Sequence, residues 1–249
     1  MMPLLQASGL AKSFGGVDAV RDVSLVVHAG EMVALIGPNG AGKTTCFNLL
    51  NGQLAPDAGT IELAGARIDR LPAREIARRG VARTFQVAAT FPSMSVRENV
   101  QVALIAHAGQ ETSFLRRARS AWCAEADRLL ERVGMARAAD QGCATLAYGD
   151  AKRVELAVAL AASPRLLLMD EPTAGMSPRS RHRLMQLAAS VAKESQIGVL
   201  FTEHDMDVVF GFADRVIVLD KGRVIASGTP AEVRGAREVQ AVYLGESTT

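Results

Sequence analysis

Short runs in which almost every residue is apolar occur at three places in the chain. They span residues 32–36, 166–169 and 197–202. A strand that is buried on both faces has this pattern, as in a parallel sheet covered by helices on both sides. Alternating apolar and polar residues predict half-exposed strands at residues 4–8, 23–27 and 60–63. Two more apolar runs, at residues 216–219 and 224–226, flank Gly222 and predict a β-hairpin.

Helical patterns replace the strands after residue 87. Apolar residues recur at helical spacing from residue 96, and again from Trp122 to Val133, where Gly134 ends the second helix. A third helix follows residue 150, and shorter ones are expected at residues 69–79 and after residue 230. We expect a single α/β domain over residues 1–249. Its core would span 1–86 and 162–249, with a helical subdomain at 87–161 and a helical tail at 230–249.

A glycine-rich loop follows the first apolar run and precedes a helical pattern. Residues 37–45 fit G-x-x-x-x-G-K-[ST], the phosphate-binding loop. The glycines let the backbone approach a phosphate, and backbone N–H groups converge on the anion at the helix N-terminus. Lys43 would add a positive charge near the β- and γ-phosphates, and the Thr44 hydroxyl suits Mg²⁺. We therefore expect a nucleotide site here.

Acidic residues and a histidine follow the other two apolar runs. Asp170 and Glu171 come after the second run, and His204 after the third. A carboxylate at this sheet edge can hold Mg²⁺ through water, and the next can accept a proton from an attacking water. Phe14 lies in a predicted turn, where it either packs or stacks on a purine, the latter contributing roughly 1–3 kcal/mol by analogy with nucleic-acid sites. Gln86 can reach a metal or water, but a single glutamine decides nothing.

Composition narrows the class of protein. The chain has 249 residues, 49% of them hydrophobic and 22% charged, with a net charge of +2. This balance gives no argument for a nucleic-acid partner. The three cysteines are far apart and form no metal pattern. No apolar stretch reaches the roughly 18–20 residues that span a bilayer, and the N-terminus lacks signal-peptide features, so we expect a soluble protein.

The order of these motifs resembles that of ATP-binding cassette (ABC) ATPases over essentially the whole chain. The resemblance implies a P-loop NTPase fold with an N-terminal antiparallel β region and an α-helical subdomain. It implies ATP and Mg²⁺ as cofactors, and a head-to-tail dimer in which the signature stretch of one subunit closes on ATP held by the other. The resemblance assigns that in-trans signature stretch to Leu146, Ala147, Tyr148, Gly149 and Asp150.

The resemblance also implies roles for single residues. Glu171, His204 and Lys43 would be catalytic, with Glu171 as general base and His204 steadying the γ-phosphate. Thr44, Gln86 and Asp170 would surround Mg²⁺. The implied ATP-binding residues are Phe14, Val20, Gly37, Pro38, Asn39, Gly40, Ala41, Gly42, Lys43, Thr44, Thr45 and Gln86.

Several phrases resemble those of ATPases from branched-chain amino-acid-type importers. They lie at residues 82–86, 94–100, 146–149, 174–178 and 239–246. The last phrase is also similar to the end of lipopolysaccharide-export ATPases, so export of lipid or lipopolysaccharide stays an alternative. A soluble cassette serving translation or DNA repair is a third; such proteins resemble two fused cassettes or carry coiled-coil or zinc insertions.

The importer resemblance implies partners and a location. These are integral-membrane permease subunits, a second copy or a paralogous ATPase as dimer partner, and indirectly a solute-binding protein. The chain would lie on the cytoplasmic face of the inner or plasma membrane. A basic cluster, Arg116, Arg117 and Arg119, is either a solvated face or a partner contact.

The chain departs from the general cassette pattern at two places. In the signature, Ala147 replaces a serine, Tyr148 a glycine and Asp150 a glutamine. The missing hydroxyl removes a hydrogen bond to a charged γ-phosphate, roughly 1.5–3 kcal/mol, and Asp150 adds a negative charge near a phosphate. Ser177 also stands where many cassettes have an aspartate. Both departures bear on how strongly the dimer closes.

Overall fold

The computed structural model describes residues 2–85, 90–109 and 122–245. Its strands are β1 (Leu5–Phe14), β2 (Val17–Val27), β3 (Met32–Ile36), β4 (Ala58–Leu63), β5 (Ala66–Arg67), β6 (Val81–Thr84), β7 (Leu166–Asp170), β8 (Gly198–Thr202), β9 (Arg215–Asp220) and β10 (Arg223–Gly228). Its α-helices are α1 (Lys43–Leu50), α2 (Ala73–Arg78), α3 (Val96–His107), α4 (Cys123–Arg132), α5 (Tyr148–Ala161), α6 (Pro178–Ser195), α7 (Met206–Phe212), α8 (Pro230–Gly235) and α9 (Arg237–Gly245).

The three apolar runs lie side by side in a six-stranded sheet of order β10-β9-β3-β8-β7-β6. β3 is parallel to β8 and β9, and β7 is parallel to β6 and β8. β10 is antiparallel to β9, which confirms the predicted hairpin. Because parallel strands end at the same edge of a sheet, the residues that follow β3, β7 and β8 are neighbours in space.

Both faces of this sheet are covered, which explains the unbroken apolar runs. Along β3, Met32, Ala34 and Ile36 face one hydrophobic core, built largely with α3 to α6. Val33 and Leu35 face a second core, formed with α1 and the other sheet. The strand therefore has no polar side, as the sequence predicts.

The other sheet is antiparallel, with order β2-β1-β4-β5. Its first strand is longer than the predicted residues 4–8, since β1 continues to Phe14. Gly9 has φ 61° and the pairing with β2 shifts between Ala7 and Leu10. This irregularity breaks the apolar alternation while the backbone pairing resumes beyond it, so the sequence pattern ends early.

The predicted helix at residues 69–79 begins later than expected, at Ala73. Pro72 stands just before the helix and fixes its own φ there. Asp69 serves the preceding turn instead, because its carboxylate accepts from the Ile61 N–H and pairs with Arg67 at 3.0 Å. The helix that sequence spacing extends back to Asp69 is therefore shortened by a local ion pair.

Helices make up the regular structure of the described parts of residues 90–161. A capping box at Ser95 and Glu98 begins α3, which packs against α4 and α5. The subdomain boundaries at 87 and 161 stay a prediction. Gln86 and the arginines at 116, 117 and 119 lie outside the described residues. Among the residues that are described, we find no helix with the length and apolarity needed to cross a membrane.

Candidate functional site

The glycine-rich loop turns directly from β3 into α1. A Cβ on Gly37 would stand 2.1 Å from the Leu219 carbonyl oxygen, and one on Gly42, which has φ 104°, would stand 2.4 Å from the Ala19 carbonyl oxygen. Only glycine fits this close passage against β9 and β2. The loop is therefore built as a tight backbone cradle.

Lys43 places its charge over this cradle. Its Nζ donates to the carbonyl oxygens of Gly37 at 2.6 Å and Pro38 at 3.0 Å, and the side chain is almost fully buried. The first turn of α1 holds no acidic residue, an arrangement in which the helix N–H groups and a lysine can act together on an anion. This donor set fits the phosphates of a nucleotide.

The other predicted loop residues have different exposures. Asn39, Gly40 and Thr44 are exposed, Pro38 and Thr45 are partly buried, and Ala41 is buried. Thr44 therefore lies accessible on the first turn of α1, where its hydroxyl suits a metal held between protein and phosphates.

Asp170 is held on both carboxylate oxygens. Its Oδ1 accepts from the Thr202 hydroxyl at 2.9 Å, and its Oδ2 accepts from the Arg83 guanidinium at 2.7 Å. Thr202 comes from β8 and Arg83 from β6, the two strands that flank β7. The two neighbouring strands thus aim the carboxylate.

Arg83 was not predicted as a site residue. Besides Asp170 it donates to Asn48 on α1 at 2.6 Å and to Gln53 at 3.0 Å. Its guanidinium also makes cation–π contacts, 5.7 Å from the Phe47 ring centroid and 5.3 Å from that of Phe85. The side chain therefore connects the helix after the glycine loop to the acidic edge.

Glu171 and His204 meet at the sheet edge, where the sequence placed both residues. The distance from His204 Nε2 to Glu171 Oε1 is 2.8 Å. Glu171 has φ 45°, and its N–H donates to the Thr202 hydroxyl at 3.0 Å. A non-glycine residue in this left-handed region is strained, and such strain gathers at functional sites.

Glu203 joins the two loops that follow β7 and β8. Its buried Oε1 accepts from the backbone N–H of Thr173 at 2.9 Å and from the Thr173 hydroxyl at 2.6 Å. Its Oε2 accepts from the His204 N–H at 3.3 Å. The loop carrying Glu171 and the loop carrying His204 therefore share one buried carboxylate.

Among the described residues, no group of three or more His, Cys, Asp or Glu side chains has the arrangement of a metal cage. Mg²⁺ in nucleotide sites binds through the phosphates and one or two protein oxygens. Thr44 and the aimed Asp170 carboxylate fit that requirement; Gln86, the third predicted ligand, lies outside the described residues.

Phe14 and Val20, both predicted to bind ATP, differ in exposure in the structure. Phe14 ends β1 with 46% of its surface exposed, and Lys12 Nζ lies 5.7 Å from its ring centroid. Val20 is 1% exposed and belongs to the hydrophobic core. The Val20 assignment is therefore corrected: its side chain packs inward, and the neighbouring Ala19 carbonyl is what approaches Gly42.

The signature stretch forms the start of α5. Ala147 stands at the N-cap without a side-chain hydrogen bond, and Tyr148 is exposed. Asp150 is paired with Arg153 one turn later. The negative charge at the helix start therefore has a positive partner within the helix, and its effect on dimer closure stays a prediction.

Ser177 caps a helix. It is the N-cap of α6, where its hydroxyl accepts from the Ser180 N–H at 3.4 Å, and Pro178 follows. A residue that differs from the family pattern therefore serves as a helix cap.

A buried ion pair connects α5 to the end of β6. Lys152 Nζ lies 2.9 Å from Glu155 Oε2. Glu155 Oε1 accepts from the Phe85 N–H at 2.8 Å, and Lys152 donates to the Phe85 carbonyl. Phe85 immediately precedes Gln86, so this pair, which sequence reasoning missed, fixes the backbone next to that predicted metal ligand.

Comparisons with known proteins agree with this site. The family model described as "ABC transporter" matches residues 20–174, and "Branched-chain amino acid ATP-binding cassette transporter" matches residues 223–248. The chain is 42% identical to the high-affinity branched-chain amino acid transport ATP-binding protein LivG of Salmonella typhimurium, covering 98% of this chain and 99% of that one. It is 37% identical to the lipopolysaccharide export system ATP-binding protein LptB of Haemophilus influenzae, covering 98% of each.

A solved structure shows the same fold. The ADP conformation of MJ1267, an ATP-binding cassette of an ABC transporter, superposes with a TM-score of 0.89 at 28% identity, covering 98% of this chain and all of that one. The glycine loop, the Asp170–Glu171 pair and His204 are thus found in a chain that matches cassette ATPases from end to end. This protein belongs to the ATP-binding cassette family, as the ATP-hydrolysing subunit of an ABC transporter.

Proposed function

We propose that this chain powers uptake of branched-chain amino acids or related small solutes through integral-membrane permease subunits. The observation that carries the proposal is the end-to-end similarity to a branched-chain amino acid transport ATPase, with a C-terminal match to that same class. The residues that select the cargo would belong to the permease and, indirectly, to a solute-binding protein.

The geometry supports a mechanism of positioning and charge neutralisation. The loop amides and Lys43 bind the phosphates. Thr44, Asp170 and Gln86 would hold Mg²⁺, which neutralises phosphate charge when bound. Glu171 accepts the proton of the attacking water, and His204, already in contact with Glu171, steadies the γ-phosphate.

The working unit that we propose is a head-to-tail dimer on the cytoplasmic face of the membrane. The exposed start of α5, with Ala147 and Tyr148, would close on ATP bound by the other subunit, which is a second copy or a paralogue. ATP binds the closed dimer better than the open one, so binding closes it and hydrolysis releases it. The helical segment and the residues that follow Gln86 would pass this motion to the permease.

The direct test of the chemistry is Glu171→Gln. The amide keeps the size of the side chain but is a poor proton acceptor, so ATP and the dimer should be trapped while turnover falls to background. Size-exclusion chromatography with ATP and a phosphate-release assay measure the two effects. Wild-type turnover in this variant would refute the assignment of the base.

The test of the cargo is a pull-down from the native membrane, followed by reconstitution of the recovered complex in proteoliposomes. ATPase activity stimulated by branched-chain amino acids and their binding protein is the expected result. Recovery of lipopolysaccharide-transport subunits would favour export, to which the similarity to the Haemophilus influenzae protein points. Recovery without any membrane protein would instead favour a soluble cassette.

A further inference from the structure

One buried hydroxyl connects the two acidic residues of the site. Thr202 is the last residue of β8 and is fully buried, directly opposite Asp170 in the parallel pair. Its hydroxyl oxygen is 2.9 Å from Asp170 Oδ1 and 3.0 Å from the Glu171 backbone nitrogen. No motif in the sequence marks this residue.

The direction of these hydrogen bonds is fixed by chemistry. The Glu171 N–H is only a donor, so the Thr202 oxygen accepts from it. The single hydroxyl proton is then available for Asp170, which accepts it as a carboxylate. The chain from N–H to hydroxyl to carboxylate is polarised in one direction, which strengthens each bond in a buried setting.

The hydrogen bond at Glu171 stabilises a strained backbone. Glu171 has φ 45°, a conformation that persists where surrounding contacts hold it. The direction of its side chain toward His204 depends on this backbone. If the Thr202 hydroxyl is removed, Glu171 loses a contact that holds its strained conformation.

Asp170 retains a second anchor if the hydroxyl is lost. The Arg83 guanidinium lies 2.7 Å from Oδ2, so the carboxylate stays in the site but becomes free to turn about that contact. The expected defect is therefore partial and affects orientation rather than nucleotide capture, because Lys43 and the loop amides are untouched.

We infer that Thr202 is a positioning residue of the ATPase site, whose hydroxyl sets both the metal-binding carboxylate of Asp170 and the backbone of the base Glu171. This inference rests on the proposed roles of Asp170 and Glu171. Thr202 acts through these residues and does not itself touch the substrate.

The decisive variant is Thr202→Val, which keeps the shape and removes the hydroxyl, with Thr202→Ser as the variant that restores it. Thr84→Val is the matched control, since Thr84 is a buried threonine at the end of strand β6, on the other side of β7, and its hydroxyl has no hydrogen-bond partner among the described residues. Circular dichroism and thermal unfolding establish that each variant is folded.

The first readout needs no nucleotide: amide hydrogen exchange of Glu171, followed by NMR in the free protein. Thr202→Val should speed this exchange by about tenfold or more, as expected when a hydrogen bond to a buried amide is lost. Thr202→Ser and Thr84→Val should leave it close to wild type. An unchanged Glu171 exchange rate in Thr202→Val would overturn the inference.

The second readout compares the effect on kcat and on the Mg²⁺ requirement with the effect on ATP affinity. Thr202→Val should lower kcat by about 10- to 100-fold and raise the Mg²⁺ concentration needed for half-maximal rate, since each tenfold corresponds to the loss of one modest interaction in the transition state. Affinity for ATP without Mg²⁺ should stay the same. Equal losses in Thr202→Val and Thr202→Ser, or a comparable loss in Thr84→Val, would assign the effect to packing and overturn the inference.

Glu171→Gln separates this inference from the proposed function. If that variant hydrolyses ATP at the wild-type rate, the role of the base fails, while the exchange of the Glu171 amide still judges the positioning. If Glu171→Gln is inactive and Thr202→Val is normal in both readouts, the positioning fails and the proposed function stands.

Discussion

Breaking the Lys152–Glu155 ion pair should destabilise the protein by an amount that follows from the burial of both side chains. The side chains are 2% and 4% exposed and lie 2.9 Å apart. Removing one member leaves an uncompensated charge in the interior, which costs about 3–5 kcal/mol. Lys152→Met should therefore lower the free energy of unfolding by about that amount, a large part of the roughly 5–15 kcal/mol typical of a domain.

The double variant Lys152→Met with Glu155→Gln should be less damaging than Lys152→Met alone. The double variant removes both charges of the pair, so neither is left unpaired. The glutamine amide oxygen can still accept from the Phe85 N–H, which donates to Glu155 at 2.8 Å in the wild type. The remaining loss is the bond from Lys152 to the Phe85 carbonyl, about 1–3 kcal/mol for an unsatisfied buried group.

Urea unfolding followed by circular dichroism measures the three free energies. The control is Arg128→Met on α4, which breaks the Arg128–Glu125 pair at the same spacing along a helix, but with side chains 69% and 38% exposed. That change should stay within about 0.5 kcal/mol of wild type. A loss in Lys152→Met no larger than that in the control, or a double variant at least as unstable as Lys152→Met alone, would refute the reasoning.

Three further predictions concern other parts of the chain. Burial raises the pKa of the Cys46 thiol to about 12, so at pH 8 iodoacetamide should modify the half-buried Cys123 well before Cys46, as peptide mass spectrometry would show. The hydrogen bond from Arg67 lowers the pKa of Asp69 below its usual 3.8. The ionised carboxylate therefore stabilises the fold fully above pH 3.8, and this stabilisation disappears as the pH falls through the lowered pKa. The difference in melting temperature between wild type and Asp69→Asn should be largest at pH 7 and should shrink below pH 3.8. Gly37→Ala should abolish nucleotide binding and lower the melting temperature, because its Cβ would overlap a backbone oxygen at 2.1 Å, whereas Gly235→Ala, which meets nothing within 4 Å, should do neither.

The sheet and the loop were predictable because their physical requirements leave a local mark. A strand covered on both faces has to be apolar throughout, so β3, β7 and β8 stand out in the sequence. The cradle of residues 37–45 needs glycine where its backbone passes other strands. The pairing of Asp150 with Arg153 also follows from spacing, since Arg153 lies one helical turn away, although we considered the charge of Asp150 alone.

The residues that hold the site residues in place leave no such pattern in the sequence. Thr202 and Arg83 reach Asp170 from strands that are far away in sequence, and the contacts depend on the register between β6, β7 and β8. Val20 was misassigned for a related reason: shifts in the pairing of β1 and β2 decide which side chains face inward. Register and bulges are properties of paired strands, so one strand read alone does not reveal them.

β3 contributes alternate side chains to two separate hydrophobic cores. Because unfolding of β3 would disrupt the packing of both cores, we expect the two cores to unfold as one cooperative unit. The glycine loop begins where this strand ends. A cavity made on either face of β3 should therefore loosen the nucleotide cradle, so that distant core substitutions on opposite sides of the sheet weaken ATP binding in the same way.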